Sequence, residues 1–366
     1  MKKILVVVRN LNKGGGISEF VVNNYNELAK MQDLKIEVLV EEGFNHFEEF
    51  QIDPNLTIKK GVSLSRNPFK YIMSWQKIKN KLRQGEYDVV HIHTDNLVRF
   101  FNLFILRKMK NVIIHSHSSY NEEVQSHFVK RSLHKVGKNI IKNSNMKYYS
   151  CSDLAAKWLF DNQKYVQINN GIKLDDFRFN EIKRQRYREE LNLSGKIVYG
   201  HVGRFTYPKN HEKLINIFFE IEKKDKNSFL ILVGEGEKKE KIIQLVSDLN
   251  LTEKVLFMGL RTDVSDLMNS FDKIIFPSYY EGFPLVLVEA QANGLPVYFS
   301  DSVTHTAKIL DETQMFSLED SDEAIAEMIL TGDALEDREA GVSLLKSSGY
   351  DHMDVIRKVY TLYKES

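Results

Sequence analysis

A single cysteine, Cys151, stands in the 366 residues. It excludes an internal disulfide and gives no sign of an oxidising compartment. Long apolar runs are missing too: no stretch reaches the ~20 apolar residues of a membrane-crossing helix. The opening Met1-Lys2-Lys3-Ile4-Leu5-Val6-Val7-Val8-Arg9 is too short for a signal peptide, is closed by Arg9 and lacks a small-residue cleavage site. It reads as a first buried strand. No repeat at a solenoid period is present. Neither a helical H-E-x-x-H nor a cysteine pair offers a zinc site. A soluble cytoplasmic protein is the expectation.

Net charge is also nearly absent, at +1, but the total conceals an asymmetry. Residues 1–165 hold 26 Lys+Arg against 16 Asp+Glu, and the remainder holds 25 against 34. A basic first half and an acidic second half predict two domains with different partners. Basic residues cluster at Arg66 to Arg83 and at Lys130 to Lys147, interleaved with Phe69, Tyr71, Ile72 and Trp75 and with Phe128, Leu133, Val136 and Ile140. That pattern fits helices lying peripherally on an anionic membrane face, and equally two surface helices with lysine-rich outer sides.

What is plentiful is alternation. Short Val/Ile/Leu runs at Ile4–Val8, Ile36–Val40, Val89–Ile92, Val112–His115 and Tyr148–Cys151 are separated by helical patterns. A second series holds Ile197–Val202, Phe229–Val233, Val255–Met258, Ile274–Phe276 and Val297–Phe299. Both series predict parallel sheets covered on both faces, hence two Rossmann-like doubly wound domains with functional edges at the strands' carboxyl ends. The expected division is 1–168, a linker at 169–195 that opens with the turn Asn169-Asn170-Gly171, a second domain at 196–345, and a final helix within 346–366. Gly171 is expected to redirect the chain through a positive φ.

Four segments carry chemistry. Gly14-Gly15-Gly16 follows the first strand and precedes a helix, which allows close backbone approach and free amides, without matching a dinucleotide or Walker loop. His115 ends the fourth strand and His117, in the same motif, lies just past it, with His91 and His93 ending the strand before. In Gly203-Arg204-Phe205-Thr206-Tyr207-Pro208-Lys209-Asn210, Arg204 and Lys209 share a strand-to-helix loop. A guanidinium fork and an ammonium together neutralise a diphosphate and a developing leaving group. In Ser278-Tyr279-Tyr280-Glu281-Gly282-Phe283-Pro284-Leu285-Val286-Leu287-Val288-Glu289, one acid lies in a loop and the other about one turn into a helix. The helix's first amides, at Leu285 and Val286, favour an anion. Two acids beside such a cradle suit a nucleotide sugar, one accepting from ribose and one from sugar hydroxyls. Spacing alone leaves open a solvated loop acid and a helix-surface acid. Asp320-Ser321-Asp322 reads as an acidic helix start rather than a metal motif, and no metal is assigned.

The two glutamates resemble the E-x7-E element of the retaining glycosyltransferases of family 4, which have the GT-B fold. Gly203 to Asn210 resembles that family's G-R-x-x-x-x-K-N element, and Ile168-Asn169-Asn170-Gly171-Ile172 its interdomain turn. The resemblance covers nearly the whole chain. It implies two domains facing each other across a cleft, with the last helix crossing back to the first. Gly15 and Gly16 would lie over the donor diphosphate. His117, with His115 as its competitor, would contact the donor sugar together with Glu281, Gly282, Phe283 and Pro284. Gly234, Leu260 and Glu289 would hold the nucleoside. The chain departs from the pattern after the second glutamate, at Asp301 to Thr306, and lacks a proline after the Val233 loop, which leaves donor preference open.

The expectation is a hexose or N-acetylhexosamine transferred with retention from a UDP-sugar to a lipid-linked or oligosaccharide acceptor in capsule or exopolysaccharide synthesis, with His117 and Glu281 catalytic and no cofactor or nucleic-acid partner. A GDP-mannose enzyme, a UDP-sugar epimerase or hydrolase, and a non-catalytic membrane- or nucleic-acid-binding module are the alternatives.

Overall fold

Continuous aliphatic runs cannot present a polar face, so they become parallel strands buried on both sides. In the computed structural model, which describes residues 1–12, 15–42, 50–333 and 337–365, they build two α/β units. One comprises Met1–Asn170 with His352–Ser366, the other Gly171–Asp351.

The first unit has strands β1 (Lys2–Val8), β2 (Leu34–Val40), β3 (Thr57–Lys60), β4 (Val89–Thr94), β5 (Val112–Ser116), β6 (Lys147–Ser150) and β7 (Val166–Gln167). They are parallel, in the order β3-β2-β1-β4-β5-β6-β7. Side-chain alternation divides β1 between two cores. Ile4, Val6 and Val8 pack with Phe20, Tyr25 and Leu28 of the helix Gly16–Ala29, whereas Leu5 and Val7 pack with Tyr71 and Trp75 of the helix Pro68–Arg83. The chain's last helix, His352–Lys364, adds Val355, Ile356, Val359 and Tyr363 to the first of these cores. Lys2 Nζ donates to the Tyr363 and Lys364 carbonyls at 2.9 and 2.8 Å, tying chain start to chain end.

The second unit has β8 (Ile197–Val202), β9 (Ser228–Val233), β10 (Val255–Gly259), β11 (Lys273–Phe276), β12 (Val297–Ser300) and β13 (Gln314–Phe316). These too are parallel, in the order β10-β9-β8-β11-β12-β13. In both sheets the winding reverses beside the first strand, between β1 and β4 and between β8 and β11. Such reversal points open a crevice at the carboxyl ends of the strands, where ligands bind in doubly wound sheets.

Two expectations are corrected. Gly171 is not among the glycines with positive φ. The chain turns there in ordinary backbone, and Ile172 at once bridges Asp351. The helix Glu181–Glu190 then fastens the following stretch to unit 2. Arg184 and Arg188 both reach Asp272, at 2.5 and 3.1 Å, while Asp272 also accepts from the Val198 amide. In the basic helices, Tyr71 and Trp75 are core residues rather than surface aromatics. Phe69 and Phe128 do face outward, 71% and 74% exposed. Among the described residues no helix is long and apolar enough to cross a membrane.

Candidate active site

The loops after β8 and β11 flank the reversal point of the second sheet. Asn210 ends the first loop at φ 51°, a left-handed value asparagine tolerates, and its side chain caps the helix His211–Lys224 by accepting from the Lys213 amide. That sharp turn carries Lys209 inward. Its ammonium lies 4.6 Å from the centre of the Phe276 ring and donates to Glu281 Oε1 at 2.7 Å. The Tyr279 amide donates to the Pro208 carbonyl at 2.8 Å, and the Tyr207 and Tyr279 rings stack at 4.9 Å. The two loops are thus joined by an ion pair, a backbone bond and a ring stack. Arg204 is exposed, without a side-chain hydrogen bond or ion pair among the described residues.

Pro284 precedes the helix Leu285–Ala292, whose first amides, including those of Leu285 and Val286, have no acceptor within the helix. Glu289 sits one turn on, half-buried. Loss of water pushes its carboxyl up to about 7, against the pull of nearby Lys209. At neutral pH it is poised between acid and carboxylate. Gly282 belongs to the same loop as Glu281. Phe283, expected at the sugar, is instead buried and stacks on Tyr350 at 5.5 Å, so only its backbone remains for a ligand.

The ends of β8, β9 and β10 crowd together nearby. Gly234 has φ 143°, and a Cβ there would fall 2.1 Å from the Gly203 carbonyl oxygen, so no other residue fits. Its amide donates to the Gly259 carbonyl at 2.9 Å. Leu260, next in line, is almost wholly exposed. Ser321 caps the helix Asp322–Thr331, while Asp322 pairs with Lys213 at 2.9 Å, so Asp320 to Asp322 form a helix start.

The remaining site residues lie on unit 1. Gly14 falls outside the described residues. The Gly15 amide, expected to be free, donates to the Asn12 carbonyl at 3.0 Å, leaving Gly16 to open the helix that follows. His117 lies just past β5. Burial drags its imidazole down to about 3, so it is neutral across the physiological range. Its Nε2 is 2.8 Å from His93 Nδ1, and its Nδ1 has no partner among the described residues. His115 is completely buried within β5, whereas His117 keeps 9% exposure at the sheet edge. A ligand-atom set from His91, His93 and His115 falls within 4.8 Å of one another, the one such group among the described residues that could hold a metal. Tyr25 and Tyr363, both bonded to this cluster, carry no local signal in the sequence, being 338 residues apart.

The family description "Glycosyltransferase Family 4" matches residues 14–176, and "Glycosyl transferases group 1" matches residues 183–341. The chain is 28% identical over 322 residues to the putative glycosyltransferase EpsF of Bacillus subtilis (strain 168), covering 83% of this chain and 80% of that one. It is 24% identical over 275 residues to the UDP-Gal:alpha-D-GlcNAc-diphosphoundecaprenol alpha-1,3-galactosyltransferase of Escherichia coli, 73% of this chain and 70% of the other. The crystal structure of Anabaena Alr3699/HepE in complex with UDP superposes with a TM-score of 0.80 over all of both chains, at 17% identity. The chain belongs to the family 4 glycosyltransferases and has the GT-B type of fold, two doubly wound units in one polypeptide.

Proposed function

We propose that this glycosyltransferase moves a hexose or N-acetylhexosamine, with retention, from a UDP-sugar to a lipid-linked saccharide during polysaccharide synthesis. One observation carries the reading: the Lys209–Glu281 pair sits at the reversal point of the second sheet beside the free amides of Leu285 and Val286. A diphosphate there would take over Lys209 and the helix start, with Arg204 closing from solvent, and these cations would stabilise the departing nucleoside diphosphate. Glu289 as carboxylate would accept from ribose hydroxyls. Glu281, displaced from Lys209 by the phosphates, would turn to the sugar; a hydrogen bond from a sugar hydroxyl to His117 is the role that the family resemblance alone implies. No side chain of unit 2 described above is placed as a covalent nucleophile, so attack on the face the diphosphate leaves is favoured.

The UDP in the Anabaena complex and the UDP-Gal and diphosphoundecaprenol in the Escherichia coli relative's name support the donor and acceptor classes. The exposed Phe69 and Phe128 among basic residues support an anionic membrane surface as a further partner. Screening UDP- and GDP-sugars for thermal stabilisation, followed by incubation of the best donor with undecaprenyl-diphosphate-linked sugars, tests this. Stabilisation by UDP-sugars and an α-linked product are expected. A GDP preference, or free epimer without transfer, would overturn it.

A further inference from the structure

Six side chains far apart in sequence meet on one face of the first sheet. His91 and His93 project from β4, and His115 and His117 from β5 and its end, with His93 and His115 directly opposite in register. The helix Gly16–Ala29 contributes Tyr25 and the last helix contributes Tyr363. Four histidines in a core first suggest a metal, but the rings argue otherwise. His91 and His93 stack at 4.2 Å with planes 26° apart, and His91 and His115 lie 10° from parallel at 5.4 Å. An imidazole lone pair lies in its ring plane. Near-parallel, stacked rings therefore aim their lone pairs side by side and not at one tetrahedral centre. Both nitrogens of His93 and Nδ1 of His91 are also already engaged.

Those engagements form a continuous chain. His117 Nε2 meets His93 Nδ1 at 2.8 Å, and His93 Nε2 meets Tyr25 OH at 2.8 Å. Tyr25 OH meets Tyr363 OH at 2.7 Å, and Tyr363 OH meets His91 Nδ1 at 2.5 Å. A neutral imidazole has one N–H, so His93 must donate at one end and accept at the other. Each phenol likewise has one proton to give, so a donation from Tyr363 to His91 would fix the direction of every link behind it. The length of that link decides. A separation of 2.5 Å is below the usual span for an N–H donor, and hydroxyl donors make the shorter bonds. Tyr363 thus donates to His91, Tyr25 donates to Tyr363, His93 Nε2 donates to Tyr25, and His117 Nε2 donates to His93 Nδ1. Nδ1 of His117 is left as a bare acceptor at the sheet edge.

We propose that Tyr25 and Tyr363 are positioning residues. Acting through His93, they hold His117 in the Nε2–H form, with Nδ1 offered to a hydroxyl of the bound sugar. The proposal rests on the reading of His117 as a sugar contact, and it makes the terminal helix a working part of that site. The burial that keeps these imidazoles neutral acts in the same direction.

The test uses the full chain with ¹⁵N-labelled histidine. Long-range ¹H–¹⁵N spectra should show His117 as a single Nε2–H tautomer, and Tyr25→Phe, which removes the acceptor for His93, should turn it into a mixture. The same variant should lower kcat about tenfold with the donor KM unchanged. Tyr363→Phe should do less, because Tyr25 OH can still donate to His91 Nδ1 at 3.0 Å. An unchanged tautomer in Tyr25→Phe, or a wild-type Nδ1–H form, overturns the proposal. So does stoichiometric zinc in the purified protein with metal-shifted histidine signals. His117→Gln separates the two readings: full activity in that variant removes His117 from the sugar site, while the tautomer result still decides whether the relay exists.

Discussion

Replacing Glu289 with glutamine should strengthen the fold above neutral pH while weakening donor binding. Burial raises this carboxyl from its ordinary 4.5 to about 7. Well below pH 4.5 the folded and unfolded chains both carry the proton, and the group costs nothing. As pH rises through 4.5 the unfolded chain releases its proton first, so stability falls until the folded group also ionises near 7. Integrating between pH 5 and pH 8 gives a loss of about 2.5 kcal/mol. Glutamine has no charge to desolvate and escapes this loss. The melting temperature of Glu289→Gln minus that of wild type should therefore grow by about 5–10 °C between pH 5 and pH 8, at roughly 2–4 °C per kcal/mol for a unit of this size. Calorimetric scans of both proteins at both pH values measure it. The same difference at pH 5 and pH 8 would refute the reasoning, since it would mean that the carboxyl is as well solvated folded as unfolded. If the carboxylate also holds ribose, the site keeps a destabilising group for function.

Four further outcomes follow from the same geometry. UDP-glucose, whose diphosphate does not titrate near neutrality, should bind wild type about tenfold more tightly at pH 8 than at pH 6 and lose that dependence in Glu289→Gln; a flat wild-type profile by calorimetry counts against Glu289. Glu281→Gln should reduce turnover strongly yet keep or improve UDP affinity, because Lys209 is then released to phosphate; unchanged turnover removes Glu281 from the reacting centre. Arg204→Ala should weaken UDP binding by about 1.5–3 kcal/mol, the range of a charge-assisted contact, and equal affinity would take it out of the site. Reversing the charges between Lys130 and Lys147 should reduce binding to anionic vesicles with UDP affinity intact, whereas persistent vesicle binding would make those lysines an ordinary solvated face.

The interior strands were legible because β1, β5, β9 and β11 are dominated by apolar residues, while β4 and β8 open on Val-Val and Ile-Val before their histidines. Three strands were not. β3 (Thr57–Lys60), β7 (Val166–Gln167) and β13 (Gln314–Phe316) each lie at a sheet edge. Each of the three is short and half-solvated, so no apolar run marks it, whereas β10, also at an edge, carries Val255-Leu256-Phe257-Met258 and was legible. The loop acids and cations were readable from spacing, since strand, loop and helix follow one another locally. The altered acidity of Glu289 was not, because desolvation depends on what packs over the helix. Nor was the phenol chain behind His117, which joins Tyr25 to Tyr363 across nearly the full length of the chain. Tyr71 and Trp75 misled for a related reason: within a basic amphipathic pattern, sequence alone does not say which aromatics face the sheet and which face water.

The most direct measurement is a crystal structure of the protein with UDP. The account predicts the diphosphate within hydrogen-bond distance of Lys209 Nζ and of the Leu285 and Val286 amides, with the Lys209–Glu281 pair opened and the ribose hydroxyls on Glu289. UDP bound elsewhere, with Lys209 still paired to Glu281, would contradict it.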